Sequence, residues 1–285
     1  MGRIVELQHY WRKVRVEELG LLTDAADYYR ELYRAALTAR KTLLFTGWQF
    51  DSEVPLLRGG EALRAHGPVT LLRFLSHLCE TRPGLQICIL AWDYSLVFAA
   101  EREWMQEVVF HRATHQRLTF RFDPNHAELG SLHQKFVVVD DDIVFTGGLD
   151  VCDHRWDDRR HLWENPSRVS RGEAHPPYHD VQLVARSREL ASTLKELFAR
   201  RWEKAGGERL DRLCVDHRLP PSPYRPEAAV RLQARELAVS RTDPFSMPEG
   251  GRRASTEILR LYQRAIASAQ ELIYVETQYF SSRAI

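Results

Sequence analysis

The chain has 285 residues and a formal net charge of +1, so no overall charge favours nucleic acid or an anionic membrane as a partner. No apolar run approaches the ~20 residues that a membrane-spanning helix needs. The amino terminus alternates charged and apolar residues and lacks the features of a signal peptide. Four scattered cysteines form no CxxC pair. The sequence therefore predicts a cytoplasmic protein with reduced thiols.

Helices and strands are predicted to alternate along the first two hundred residues. In chain order we expect a helix over 24–41, a strand over 42–50, a helix over 69–80, a strand over 85–90, a helix over 101–116 and a strand over 118–122. A polar loop over 153–177 then precedes a strand over 180–185 and a helix over 187–204. This alternation predicts an α/β layered fold with a largely buried sheet.

Residues 206–251 interrupt the alternation with prolines, so we expect a solvated connector there, with one modest strand over 234–240. Beyond it, RAIASAQELIYVETQYF (264–280) aligns without a gap with RAALTARKTLLFTGWQF (34–50). Such a match indicates an internal duplication. We therefore predict a first repeat over 1–205, a connector over 206–251 and the start of a second repeat, incomplete in this sequence, over 252–285.

The stretch LHQKFVVVDDDIVFTGGLD (132–150) carries the clearest chemical signal. On a strand, His133 and Lys135 would project from one face, roughly 7 Å apart. A neutral imidazole can act as nucleophile or acid–base, and an ammonium beside it can hold phosphodiester oxygens. Asp140 is read equally well as a hairpin-turn residue or as part of the site. Gly147 and Gly148 would end the return strand at a close backbone approach or a turn.

The spacing His-x-Lys, four residues, Asp, six residues, Gly-Gly-Leu-Asp resembles the HKD signature of the phospholipase D superfamily. Other segments resemble its phospholipase branch in the right order, including GWQFDSE, LAWDYS, HRWDD, PPYHDVQL and IYVETQYF. The resemblance covers nearly the whole chain. It implies a mixed central sheet flanked by helices and a phospholipase D-like activity.

By this resemblance His133 acts as nucleophile or as leaving-group acid, and Lys135 binds phosphate. Asp140 would support the charge network of the motif. Asp180 would hydrogen-bond the motif histidine and fix its tautomer. The positions expected to bind substrate are Gly147, Gly148, Asp150, Trp156 and Gln278.

Neither a cofactor nor a metal ion is expected, since members of this family need no metal. The histidines of the polar loop (His154, His161, His175, His179) occur without cysteines or carboxylates at ligand spacing, so we interpret them as solvated.

The family's site joins two HKD motifs, whereas no second histidine here has lysine two positions later; His115–Gln116–Arg117 comes nearest. Three hypotheses follow. The leading one is a phospholipase D or transphosphatidylase, cardiolipin synthase-like exchange included, with phospholipid as substrate, peripheral association with a membrane and a second HKD half as partner. The second is a nuclease completed by homodimerisation, although no basic stripe supports nucleic acid as a partner. The third is a catalytically incomplete fragment that binds a membrane or a protein.

Overall fold

The computed structural model describes residues 7–93, 103, 106–112, 115–126, 130–210, 219–243 and 255–277. Its strands are β1 (Arg12–Arg15), β2 (Glu18–Thr23), β3 (Thr42–Gly47), β4 (Gln86–Trp92), β5 (Leu118–Asp123), β6 (Phe136–Val139), β7 (Ile143–Gly147), β8 (Val169–Ser170), β9 (Glu173–Ala174), β10 (Val181–Arg186), β11 (Val230–Arg231), β12 (Glu236–Val239), β13 (Thr242–Asp243) and β14 (Ser255–Thr256). Its α-helices are α1 (Asp24–Ala36), α2 (Gly59–Leu63), α3 (Leu71–Thr81), α4 (Gln106–Arg112), α5 (Arg188–Lys204) and α6 (Glu257–Ser268).

One large mixed sheet organises the chain. Its strand order is β11, β2, β10, β7, β6, β3, β4, β5. β3, β4 and β5 run parallel, and all other neighbouring pairs are antiparallel. The predicted α/β fold with a mixed central sheet flanked by helices is therefore confirmed.

The centre of the sheet is buried on both faces. Leu43 and Leu44 are neighbours on β3, so their side chains point to opposite faces, and both are completely buried. Helices α1 and α3 supply Leu32 and Phe74 to one continuous core. Helix α5 contacts β3, β5, β6 and β7. Its first turn is capped by Ser187, whose hydroxyl accepts the N–H of Leu190 at 3.0 Å.

Helix α1 ends five residues before the predicted boundary at residue 41, and Arg82 gives the reason. Its guanidinium donates to the carbonyls of Ala36 and Ala39, at 2.9 and 3.2 Å, and to that of Leu37. The Ala36 carbonyl also accepts the N–H of Ala39 at 3.1 Å, and a cation is favoured at the carboxyl end of a helix. The chain is thus released from the helix and turns into β3.

The chain divides into two compact units. The larger comprises Val16–Ala234 and contains the eight-stranded sheet. The other comprises Met1–Arg15 together with Arg235–Ile285. Within it β1 pairs with β12, β13 pairs with β14, and the guanidinium of Arg241 lies 4.1 Å from the ring centroid of Trp11.

Part of the predicted connector packs against the larger unit. Tyr224 is 5% exposed, and its hydroxyl donates to Glu31 at 2.6 Å. Arg186 donates to the carbonyls of Ser222 and Tyr224. The expectation of a solvated connector is therefore wrong for this segment.

The predicted second repeat forms its helix, but residues 272–277, where its strand was expected, are not in a strand. Helix α6 corresponds to α1 in the repeat alignment, and residues 272–277 correspond to β3. β3 lies between β4 and β6, whereas Leu272 and Tyr274 are 80% and 78% exposed. A strand requires neighbours for its backbone hydrogen bonds, and no described strand pairs with 272–277.

Candidate active site

The residues of the HKD-like motif lie at one edge of the central sheet. The carboxyl ends of β3, β4, β5 and β7 meet there with the amino ends of β6 and β10, because β6 and β10 run opposite to their neighbours. His133 and Lys135 precede β6, and Trp48 follows β3. This edge is the candidate site.

His133 and Lys135 lie just before the strand on which we expected them, since β6 begins at Phe136. The hydroxyl of Thr146 on β7 donates to the Lys135 carbonyl at 2.9 Å and so fixes the approach to the strand. Trp48 contacts both residues. Its ring lies 5.2 Å from the His133 ring and 5.7 Å from the Lys135 ammonium. Both motif side chains therefore lie close to the ring of Trp48.

Lys135 forms a buried ion pair with Asp150. Its Nζ lies 3.0 Å from Asp150 Oδ2, and both side chains are at most 5% exposed. Asp150 Oδ1 also accepts the N–H of Trp48 at 2.8 Å, and the Tyr29 hydroxyl donates to the Asp150 carbonyl at 2.8 Å. A buried charge is stable only when it is paired. Asp150 therefore stabilises the charged, buried ammonium of Lys135 beside His133.

Partial desolvation lowers the pKa of His133, and the positive charge of Lys135 lowers it further, against the opposing effect of Asp150. Lowering a histidine pKa increases the fraction of neutral imidazole near neutral pH. The electrostatics of the site thus favour the neutral form of the His133 ring.

Gly147 and Gly148 both stand where a side chain would collide with β10 or its approach. A Cβ on Gly147 would overlap Gln182, and one on Gly148 would overlap the carboxylate of Asp180. The Gly148 N–H donates to the Val181 carbonyl at 3.3 Å. The absence of side chains at the two glycines thus allows the end of β7 to pack closely on Gln182 and Asp180.

The structure does not join Asp180 to His133. Among the described residues no hydrogen bond links the two. The Asp180 carboxylate instead accepts the N–H of Val181 at 2.7 Å. Burial raises the pKa of Asp180, while Lys135 and His179 oppose that shift. The charge of Lys135 therefore acts on the pKa of Asp180. The expected role of Asp180 in fixing the tautomer of His133 stays a prediction.

The structure places Asp140 away from the histidine, at the other end of β6. Its carboxylate accepts the backbone N–H groups of Arg40, Lys41 and Thr42 at 2.8 to 3.1 Å. Its own φ of 49° forms the turn between β6 and β7. Asp140 thus connects the hairpin with the start of β3. This agrees with the interpretation of Asp140 as a turn residue and gives it no position beside His133.

Trp156 lies in the hydrophobic core rather than at the site. It is 7% exposed, and the guanidinium of Arg58 lies 4.8 Å from its ring centroid. The expectation that Trp156 binds substrate has no support in this geometry, because its ring is enclosed by core residues. Gln278 lies outside the described residues.

Neither Trp48 nor Arg201 is among the predicted site residues. Arg201 on α5 donates to Gln134, between the two motif residues, at 3.0 Å and to Thr46 at 2.9 Å. Its Nε also pairs with Asp123 at 3.0 Å. Arg201 therefore links the side chain of Gln134, next to His133, with residues of β3 and β5. The signal for Trp48 was its position directly after a strand at the sheet edge.

The loop histidines are not all solvated. His161 and His179 meet at a ring distance of 5.1 Å, and both contact Asp24 at the start of α1. Asp24 lies 155 positions before His179, so sequence spacing could not reveal it. A carboxylate distant in sequence therefore contacts two of the histidines that were expected to be solvated.

The described helices include none that is long and apolar enough to cross a bilayer. Cys79, Cys88 and Cys152 are buried free thiols, and burial raises the pKa of Cys79 to about 11. These described thiols are protonated and shielded at neutral pH.

No protein-family model matches the chain. Phospholipase D alpha 2 of Oryza sativa subsp. japonica is 26% identical over 327 residues, covering 89% of this chain and 39% of the relative. Phospholipase D alpha 1 of Zea mays is 24% identical over 333 residues, covering 91% of this chain and 40% of the relative. The chain therefore spans about two fifths of the length of these curated relatives.

Solved structures with related folds were also found. NucT from Helicobacter pylori gives a TM-score of 0.44 at 13% identity, covering 65% of this chain and 96% of that chain. Phosphatidylserine synthase from Haemophilus influenzae Rd KW20 gives a TM-score of 0.44 at 15% identity, covering 67% of this chain and 38% of that chain.

Fold and site together define an α/β protein whose mixed sheet carries a histidine, a lysine and a paired aspartate at one edge. With these features, the similarity to the curated phospholipase D relatives supports membership of the phospholipase D superfamily.

Proposed function

We propose that the protein is a phospholipase D-type phosphodiesterase or transphosphatidylase, which cleaves or exchanges phospholipid headgroups through a phosphohistidine intermediate. The observation that carries this proposal is the group formed by His133, Lys135 and Asp150 against Trp48. The phospholipase D names of the curated relatives support phospholipid as the substrate class.

His133 is the proposed nucleophile, because its lowered pKa keeps the ring neutral. Its lone pair attacks the phosphodiester phosphorus, the bond from phosphorus to the headgroup oxygen breaks, and that oxygen leaves with a proton from a second histidine. Water or another alcohol then attacks the phosphohistidine and regenerates His133. Water gives phosphatidic acid, and an alcohol gives headgroup exchange.

Lys135 stabilises the charge that develops on the non-bridging oxygens. Its ammonium is held in place by Asp150 before substrate arrives. Preorganised charge in a site shielded from water stabilises a transition state more than a mobile charge would. Lys135 and Asp150 therefore act as one phosphate-binding unit.

The second histidine is proposed to come from a second HKD half, in the same polypeptide or in a second copy. Residues 272–277 support this partner. They correspond to the fully paired strand β3 in the repeat alignment, yet Leu272, Ile273, Tyr274 and Val275 are 53 to 80% exposed. A partner sheet would bury these side chains and satisfy their backbone.

Two exposed apolar residues support action at a membrane surface. Leu162 is 44% and Trp163 is 87% exposed. They lie in the loop between β7 and β10, which begins and ends at the sheet edge of the site. Arg168 anchors this loop by donating to the Trp163 carbonyl at 2.6 Å. Tryptophan favours the membrane interface, so we propose that this loop contacts lipid.

The test uses a substrate that needs no leaving-group acid. Short-chain phosphatidyl p-nitrophenol releases p-nitrophenolate without protonation at neutral pH, so this chain alone should give a burst of release. His133→Asn should abolish the burst, and His115→Asn should retain it, because His115 lies in the turn before β5 and bonds Arg117. An equal burst from parent and His133→Asn would refute the proposal.

A further inference from the structure

A cluster outside the proposed catalytic group joins three distant parts of the chain. Asp24 begins α1, His161 lies in the loop between β7 and β10, and His179 lies just before β10. One carboxylate oxygen and one ring nitrogen from each histidine all lie within 4.8 Å of one another. These are the donor types that zinc ions prefer in proteins.

The Asp24 carboxylate is completely buried. Its Oδ1 accepts the Asp180 N–H at 3.3 Å and lies 2.7 Å from His179 Nδ1. Its Oδ2 has no hydrogen-bond partner among the described residues, although His161 Nε2 is only 3.2 Å away. A buried carboxylate oxygen left in this way is unfavourable unless a cation compensates it.

His161 is oriented as a metal-ligating histidine is. Its Nδ1 lies 3.0 Å from Asp157 Oδ2. Asp157 is buried and is itself held by Arg168 and by the N–H of Tyr178, at 3.0 and 3.1 Å. In the tautomer that carries its proton on Nδ1, the ring donates to Asp157 and presents the lone pair of Nε2 towards Asp24. A carboxylate that orients the remote nitrogen in this way is the usual support of a metal-bound imidazole.

We propose that Asp24, His161 and His179 bind a zinc ion, with water as the fourth ligand. Tetrahedral bonds of about 2.0–2.1 Å separate two ligand atoms by about 3.3 Å. The distance of 3.2 Å between Asp24 Oδ2 and His161 Nε2 matches that separation. His179 Nδ1 lies 2.7 Å from Oδ1, and it lies within 4.8 Å of the other candidate ligand atoms, so a shift of its ring would complete the set.

The ion would tie the start of α1 to the middle and to the end of the segment between β7 and β10. His179 precedes Asp180, whose carboxylate lies against Gly148 at the candidate active site. A zinc ion here would therefore be structural, and it would stabilise the edge on which the active site is built. This inference does not depend on the proposed catalytic activity.

Zinc binding is measured on the full chain after treatment with a chelator and dialysis, by titration with zinc chloride against a chromophoric chelator. The matched variants are His161→Asn and His154→Asn. Both histidines have positive φ, 44° and 60°, which asparagine tolerates well. His154 contacts His175 at a ring distance of 5.3 Å and lies outside the cluster, so it is the control.

We expect one equivalent of zinc per chain, at least about tenfold weaker binding in His161→Asn and in His179→Asn, and unchanged binding in His154→Asn. Zinc should raise the thermal midpoint of the parent and of His154→Asn, but not that of His161→Asn. Circular dichroism verifies that each variant is folded. Absence of stoichiometric zinc in the parent, parental affinity in His161→Asn, or equal loss in His154→Asn would each overturn the proposal.

Discussion

The ammonium of Lys135 lies 3.0 Å from the carboxylate of Asp150, and the ring of Trp48 lies 5.7 Å from that ammonium and 5.2 Å from the His133 ring. Because the charges of Lys135 and Asp150 act on the pKa of His133 in opposite directions, each can be removed to test the site. Lys135→Met should raise the pKa of His133. Asp150→Asn should lower it.

Nuclear magnetic resonance titration of the His133 ring measures both shifts without any substrate. In the parent we expect a pKa below the usual value of about 6.5, because desolvation disfavours the imidazolium. Equal pKa values in the parent and both variants would show that the three side chains do not form one electrostatic group.

Asp140 is expected to stabilise the fold without taking part in chemistry. Its carboxylate accepts three backbone N–H groups between α1 and β3. Asp140→Asn retains an acceptor at a positive φ but loses the charge, so it should lower the free energy of unfolding by about 1–3 kcal/mol. Chemical denaturation measures that loss. The p-nitrophenolate burst per folded molecule should stay at the parental level, and a loss of burst at full folding would instead place Asp140 in the chemistry.

Burial raises the pKa of Asp51 to about 6, and the nearby Asp153 charge adds to this effect while its N–H opposes it. The folded state thus binds this proton more tightly than the unfolded state does. The contribution of Asp51 to stability is largest at low pH and falls as pH rises from about 4 to about 6, by up to about 3 kcal/mol. Asp51→Asn should remove that decline.

Asp158 provides the opposite case for the same experiment. Hydrogen bonding to Arg160 lowers the pKa of Asp158 to about 2, so its contribution is present above the unfolded value and is lost as pH falls below about 4. Unfolding curves between pH 3 and pH 7 should give Asp51→Asn and Asp158→Asn opposite trends relative to the parent. The same trend in both would contradict the assigned environments.

Trp163 is expected to bind membranes rather than to stabilise the protein. Its side chain is 87% exposed, so Trp163→Ser should leave the thermal midpoint nearly unchanged. Co-sedimentation with phosphatidylcholine vesicles should fall severalfold, because an interfacial tryptophan is lost. Trp11 offers a matched control, since arginines stack on it in the other compact unit and it lies outside this loop. Equal vesicle binding by the parent and Trp163→Ser would exclude this loop as the lipid contact.

The central sheet was predictable where hydrophobic patterning was strong. β3, β4 and β5 are short apolar runs, and their assignment needed no tertiary information. β2 was missed because ELGLLT is short and contains glycine, and its strand form depends on pairing with β10 and β11. Strand identity at that position is set by tertiary contacts rather than by propensity.

The site residues that belong to one sequence motif were predictable, whereas contacts between segments distant in sequence were not. The spacing of His133 and Lys135 predicted that they act together, and Asp150 followed from the same motif. The packing of Trp48 on both, the support from Arg201 and the contact of Asp24 with two loop histidines all join segments far apart in sequence. A single sequence holds no record of such distances.

The central claim is that His133 is the nucleophile of a phosphodiester-cleaving site. It is tested most directly by rapid acid-free quenching of the protein with ³²P-labelled short-chain phosphatidyl p-nitrophenol, followed by peptide mapping. We predict a base-stable, acid-labile phosphoryl adduct on His133, retained in His115→Asn and absent from His133→Asn. An adduct on any other residue, or p-nitrophenolate release without an adduct on His133, would contradict this account.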